Sequence, residues 1–209
     1  MEALGKRRER AKAIARELRR PFPEARVFLT HNNPWELLVA VILSAQCTDR
    51  KVNEVTNRLF RKYKTFSAYL RVVPREFEKD VRETGFFRTK TKHILAAARA
   101  IKERHGGAVP RTMDELTALP GVGRKTANIV LWNAFGILSG IPVDTHVKRL
   151  ALRFGLTDKT DPEKIERDLM EVLPRKEWGT ISYRMIEYGR KFCPARPHDH
   201  SRCPLSRYE

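Results

Sequence analysis

The stretch LPGVGRKTANIV, residues 119–130, decides how the rest of the chain is read. Pro120 stops a preceding helix, because its ring removes a backbone donor and crowds the turn before it. Gly121 and Gly123 permit a tight turn that side chains would block. A helix then begins around Arg124, and its free N–H groups and positive dipole end point back into the turn. That is an anion site made of backbone. An ordinary helix–helix turn also uses glycine, so the turn alone leaves both readings open. It is not a Walker loop, since the glycines stand too close to Lys125.

Outward from the turn the pattern is helical throughout. Residues 34–63 open with Pro34 after the polar turn His31-Asn32-Asn33, as a helix start should. The run Leu37 to Leu43 is apolar on every face and predicts a central buried helix. Polar residues in SAQCTD (44–49) interrupt it, and a second helix resumes at Lys51. Short helices are expected in 65–73 and 74–84, the latter led by Pro74. Residues 88–107 form a strong amphipathic helix, stopped by Gly106 and Gly107. Beyond the turn, 143–156 is a further helix with Asp144 or Thr145 suited to its N-cap. Two more follow, one led by Asp161 and Pro162, the other over 177–193. No alternating strand pattern and no internal repeat are visible, so the fold class is all-α.

Charge narrows the partners. The chain of 209 residues carries 42 Lys and Arg against 25 Asp and Glu, a formal +17. Such an excess favours a polyanion, nucleic acid ahead of an anionic membrane. No segment reaches the ~18 apolar residues a bilayer crossing needs. The basic N-terminal segment lacks a signal-peptide core and is expected to be a plain first helix. A cytoplasmic protein is expected. Three cysteines, Cys47, Cys193 and Cys203, are too few for a disulfide framework. Gln46 is the only glutamine, and arginine is abundant; both agree with a thermophilic source.

The turn has the P-G-V-G core of a helix-hairpin-helix, a module that grips DNA backbone without reading sequence. The likeness extends further. LPGVGRKTANIVLWNAFG, followed by IPVDTHVKRLALRFGL (141–156), strongly resembles the endonuclease III family of DNA glycosylases. That family lies within the helix-hairpin-helix, Gly/Pro-rich, aspartate superfamily. The resemblance continues in LLVAVILSAQCTDRKVN (37–53), TGFFRTKTKHI (84–94), HGGAVP (105–110) and MIEYGRKFC (185–193), so it covers about Pro34 to Cys203.

The resemblance implies roles for particular residues. Lys125 matches the family's catalytic lysine, whose amine attacks C1′ of the deoxyribose and forms a Schiff base that permits β-elimination. The amine must be unprotonated to attack. Asp144 matches the catalytic aspartate, which stabilises the developing sugar cation. By position alone it would be an N-cap. Retention of Lys125 implies a bifunctional glycosylase and lyase acting on oxidised pyrimidines and abasic sites. Monofunctional mismatch or adenine glycosylases of the same fold would not need it. A non-catalytic helix-hairpin-helix protein is a third reading, and it leaves the V-D-T-H segment unexplained.

A glycosylase must rotate its target nucleotide out of the stack and fill the space left. In the family a glutamine enters that space, which maps to Gln46. A second wedge follows a glycine, where this chain has Phe86 and Phe87; either phenylalanine would also suit a core. Gly121, Val122, Gly123 and Arg124 are expected to hold backbone phosphate, with Thr145, His146 and Lys148 also at the DNA. Arg88, Lys90, Lys92 and Arg149 are further candidates for phosphate contact. The expected partner is double-stranded DNA containing a damaged pyrimidine or an abasic site, bound by a monomer in the cytoplasm of a prokaryote, associated with the nucleoid.

The family's C-terminal loop usually carries C-x6-C-x2-C-x5-C, four thiolates around a [4Fe–4S] cluster. Here Cys193 matches the first position and Cys203 the third, but the second is His200 and the fourth is Glu209. Three readings stay open: no cluster, with the loop held by packing or a Cys193–Cys203 bond; a zinc site from Cys193, His198, His200 and Cys203; or a cluster retained with other ligands. No cofactor is needed for catalysis.

Two helical lobes are expected. Residues 27–137 form a six-helix barrel, with the helix-hairpin-helix over about 113–137. Residues 1–26 and 138–209 form the second lobe, and the active site is expected in the cleft between them.

Overall fold

The computed structural model describes residues 3–209. Helices follow one another in the order α1 (Leu4–Arg19), α2 (Pro34–Leu43), α3 (Asp49–Lys62), α4 (Phe66–Arg71), α5 (Pro74–Val81), α6 (Phe87–His105), α7 (Met113–Thr117), α8 (Arg124–Phe135), α9 (Thr145–Arg153), α10 (Pro162–Val172) and α11 (Trp178–Lys191). Short 3-10 turns punctuate them, and the described residues contain no strand. The all-α expectation holds. Two compact units result: Phe28–Ile137, and the N-terminal segment up to Val27 together with Leu138–Glu209.

The unit Phe28–Ile137 is built on α2. Asn33 caps that helix by accepting from Glu36 N at 2.9 Å, and Pro34 occupies its first turn. Glu36 reaches back to Asn32 N at 2.8 Å, so two otherwise orphaned donors are satisfied. From Leu37 to Leu43 every residue is buried, which is why this helix has no polar face. It packs on α3, α6 and α8. Trp35, Phe66, Tyr69, Tyr63 and Phe77 close one end, with successive ring centroids 5.0–5.8 Å apart. The α6 helix ends where Gly106 turns left-handed at φ 63°, as its glycines predict.

The other unit packs α1 against α10 and α11, and α9 against α11 and α10. Ile14, Leu18, Val147, Leu150, Phe154, Ile165, Leu169 and Met185 form its core. The N-terminal helix has a buried face of Ala11, Ile14, Ala15 and Leu18. Two of its arginines serve the fold: Arg10 donates to Gly155 O at 2.9 Å, and Arg8 to Glu171 O at 3.2 Å. Glu177 is buried and ion-paired with Arg184 at 2.8 Å and with Arg19. Deleting one partner of such a pair costs about 3–5 kcal/mol, because the other charge is left stranded.

Candidate active site

The glycine turn falls between α7 and α8. Gly121 adopts φ +76°, and a Cβ there would lie 2.6 Å from the Cβ and Cγ of His93. Glycine at 121 is therefore obligatory. Gly123 differs from the sequence expectation. It is extended, with φ −91° and ψ 175°, and a Cβ on it would meet nothing within 4 Å. Its backbone does not require glycine; what glycine leaves is an open face at the start of α8. That helix has no side-chain cap and no acidic residue in its first turn. Its N-terminal N–H groups and dipole thus suit an anion brought from outside. Val122 is buried and anchors the turn, while Lys125, second in α8, is exposed.

Two further residues of this unit share an unusual backbone. Gln46 at φ 52° and Phe86 at φ 46° are the non-glycine residues with positive φ among those described. Each such conformation costs of order 1–3 kcal/mol and concentrates at functional sites. Gln46 is exposed in the turn after α2, beyond Ser44, which takes the cap position. Phe86 is 64% exposed at the N-cap of α6, whereas Phe87, the first residue of that helix, is half-buried. The structure thus separates the two phenylalanines: Phe86 stands free and Phe87 packs.

Lys90 corrects the sequence expectation of a phosphate contact. It is 3% exposed, and its ammonium donates to Leu43 O at 2.8 Å and Thr84 O at 2.7 Å. Burial pushes this amine below the usual lysine range. The two carbonyls belong to the segments that lead into Gln46 and Phe86. Lys90 therefore ties the two loops together from beneath. Arg88 and Lys92 remain exposed.

In the other unit, Asp144 is the N-cap of α9. Its Oδ1 accepts from Val147 N at 2.8 Å, and its second oxygen has no partner among the described residues. Capping and a free carboxylate oxygen coexist in one side chain. Thr145 is exposed, and Lys148 and Arg149 are half-buried. Thr145, Lys148, Arg149, Leu152, Arg153 and Glu209 line a concavity of this unit. His146 is half-buried, and its Nδ1 has no hydrogen-bond partner among the described residues. Burial holds its pKa below the ordinary histidine value, against a smaller opposing pull from Asp144. A Cβ on Gly189 of α11 would sit 2.6 Å from that Nδ1, so the glycine in MIEYGRKFC exists to admit the His146 ring.

The C-terminal loop gathers Cys193, His198, His200 and Cys203, with one ligand atom of each within 4.8 Å of all the others. Both cysteines are buried and neither forms a disulfide. Glu209, expected at the fourth position, pairs its carboxylate with Arg153 at 3.3 Å and leaves one oxygen 3.9 Å from His200 Nδ1, at the edge of the cluster. His198 supplies the fourth donor. Arg149 donates to Cys193 O at 2.6 Å and approaches Cys193 Sγ at 3.4 Å.

Comparison with known proteins joins these features. The family model of the HhH-GPD superfamily base excision DNA repair protein matches residues 39–175. Endonuclease III of Synechocystis is 47% identical over 206 residues, covering 99% of this chain and 94% of the relative. The chain belongs to the endonuclease III family. Two solved endonuclease III structures agree with this. A non-covalent endonuclease III–DNA complex superposes with TM-score 0.91 at 42% identity, covering 100% of this chain and 95% of that one. A trapped endonuclease III–DNA covalent intermediate, with an estranged adenine, gives TM-score 0.90 at 42% identity, covering 98% and 94%. As a family member the protein is a base-excision DNA glycosylase and AP lyase.

One part of the chain departs from the endonuclease III pattern. The four-iron cluster asks for four thiolates on four separate irons. The loop offers two thiolates and two imidazoles, drawn together within 4.8 Å. The donor set does not fit that cluster, but it does form a group able to hold a metal ion.

Sequence reasoning did not find the Lys90 tie, the contact of His146 with Gly189, or the hold of Arg149 on Cys193. A lysine inside an amphipathic helix next to the apolar face, and a glycine within a helical run, were the available signals.

Proposed function

We propose that this protein removes oxidised pyrimidines from double-stranded DNA and then cuts the strand 3′ to the resulting abasic site. The observation that carries the proposal is the exposed Lys125 at the uncapped start of α8, directly after a glycine turn open to a phosphate. The backbone about Gly121 and Gly123 takes the phosphate, with Arg124 beside it, which leaves the lysine amine for chemistry.

In this scheme the Lys125 lone pair bonds to C1′ as the bond from C1′ to the base nitrogen breaks. The electron pair of that bond leaves with the base, which gains a proton. The sugar ring opens, O4′ takes up a proton, and the amine loses one of its two protons, which leaves a protonated Schiff base. Loss of the C2′ proton then expels the 3′ phosphate with its bonding electrons, and water releases Lys125. Asp144 stabilises the cationic sugar and accepts a proton from the lysine or from water. Gln46 and Phe86 fill the vacated stack; their strained backbones support that role. Lys148, Arg88 and Thr145 lie on the DNA strand. No cofactor takes part in the chemistry.

No helix among the described residues is long and apolar enough to cross a membrane. The proposal places the protein in the cytoplasm, on nucleoid DNA, as a monomer. The direct test is product analysis on a thymine-glycol duplex. Release of the base together with a β-elimination product bearing an unsaturated 3′ sugar is the expected result. Base release that leaves an intact abasic strand would make the protein monofunctional, and no release would make it a DNA-binding module.

A further inference from the structure

We propose that the C-terminal loop is a mononuclear zinc site, with Cys193, His198, His200 and Cys203 as its four ligands, in place of the iron–sulfur cluster usual in the family. Geometry comes first. Zinc binds sulfur at about 2.3 Å and nitrogen at about 2.0–2.1 Å, so a tetrahedral ion holds a sulfur and a nitrogen about 3.6 Å apart. The loop already has these spacings. Cys203 Sγ lies 3.4 Å from His198 Nε2 and 3.8 Å from His200 Nδ1, and Cys193 Sγ lies 3.8 Å from the same His200 Nδ1. A four-iron cube would need its ligands spread over a larger tetrahedron, and thiolates at all four corners.

The surroundings are those of a ligand set. His198 donates from Nδ1 to Arg196 O at 2.8 Å. That bond fixes the tautomer and turns Nε2, with its lone pair, toward Cys203. Arg149 approaches Cys193 Sγ at 3.4 Å and donates to its carbonyl at 2.6 Å, which fixes the position of that sulfur beside His200. Cys193 and Cys203 are 0% and 4% exposed, so the ion would be shielded on the side of the core. Two thiolates and two neutral imidazoles exactly neutralise a divalent ion, which suits a basic protein without adding charge to the loop.

The same contacts say what the ion would do. Cys193 follows α11, and Arg149 belongs to α9, the helix that Asp144 caps. After Cys203 the chain returns to α11, where Leu205 N donates to Tyr188 Oη at 3.2 Å. An ion at the four ligands would clamp the C-terminal tail onto α11 and, through Arg149, onto α9. Its role is structural: binding free energy of such a site becomes folding free energy.

The test uses the full chain, stripped with a chelator and titrated with Zn(II) alone and, separately, with Co(II). The expected result is one ion per chain, with thiolate-to-Co(II) charge-transfer bands and the intense visible absorption of a tetrahedral site. Zn(II) should raise Tm, and His198→Ala should weaken Zn(II) binding by about tenfold or more while leaving the circular dichroism unchanged. Cys203→Ser should weaken the charge-transfer bands by about half, since Cys193 remains as the second thiolate; should that variant fail to fold, the wild-type Co(II) spectrum and His198→Ala still decide. Stoichiometric iron and sulfide in the protein as isolated would overturn the proposal. So would Co(II) bound without thiolate bands, or Zn(II) binding unaltered by His198→Ala.

Discussion

At the scale of single residues, Lys90 shows how far chemistry can differ from composition. A lysine among many in a basic protein suggests a phosphate contact, yet here burial and two carbonyls give it a positioning role. Replacing it with methionine keeps the volume but leaves Leu43 O and Thr84 O without their donor. Stability should fall by about 1–3 kcal/mol, read from urea unfolding, and excision should slow as the Gln46 and Phe86 loops lose their tie. The discriminating measurement is salt dependence. Loss of a phosphate contact lowers the slope of log affinity against log salt by about one; Lys90→Met should leave that slope unchanged, and Lys148→Ala should reduce it. His146 carries a pH prediction. Its folded pKa lies below the unfolded value, which is about 6.5. As pH falls through that value the unfolded chain takes up a proton that the folded chain resists, so stability is lost on acidification. His146→Gln should flatten unfolding free energy between pH 7.5 and the folded pKa. The buried Lys90 and the left-handed Gln46 and Phe86 were illegible in sequence, since each depends on contacts or dihedrals set by distant segments.

Elements were the most legible scale. The α2 helix is announced by Asn33, Pro34 and an apolar run without a polar face, and α10 by Asp161 and Pro162. The turn before α8 was legible as a turn, but its two glycines look alike in sequence and differ in structure. Gly121→Ala places a Cβ 2.6 Å from His93 in a left-handed backbone. It should cost about 1–3 kcal/mol or more, measurable as a drop in Tm. Gly123→Ala meets no neighbour and should change stability by less than about 0.5 kcal/mol. It nevertheless fills the face where a phosphate would approach, so DNA affinity should fall. A variant pair that lost stability and affinity in parallel would contradict this separation. The C-terminal loop was only half legible: the family spacing put Glu209 in the fourth position and the zinc reading put His198 there, and the structure gathers the set with His198.

For the whole molecule, a formal charge of +17 predicts affinity for DNA that weakens steeply with salt and depends little on sequence. Not all of that charge is available to a ligand, since Arg8, Arg10, Arg184 and Lys90 are spent on carbonyls and carboxylates within the fold. Charge therefore predicts the class of partner and nothing of the chemistry, which the proposed function assigns to one exposed amine at the start of one helix. The most direct measurement is borohydride reduction during reaction with a thymine-glycol or abasic duplex. A covalent protein–DNA adduct is expected from the wild-type protein, and none from Lys125→Ala with unchanged fold and DNA binding. Folded, DNA-binding wild-type protein that gave no adduct, or a Lys125→Ala variant that still gave one, would contradict the assignment of Lys125 as the nucleophile.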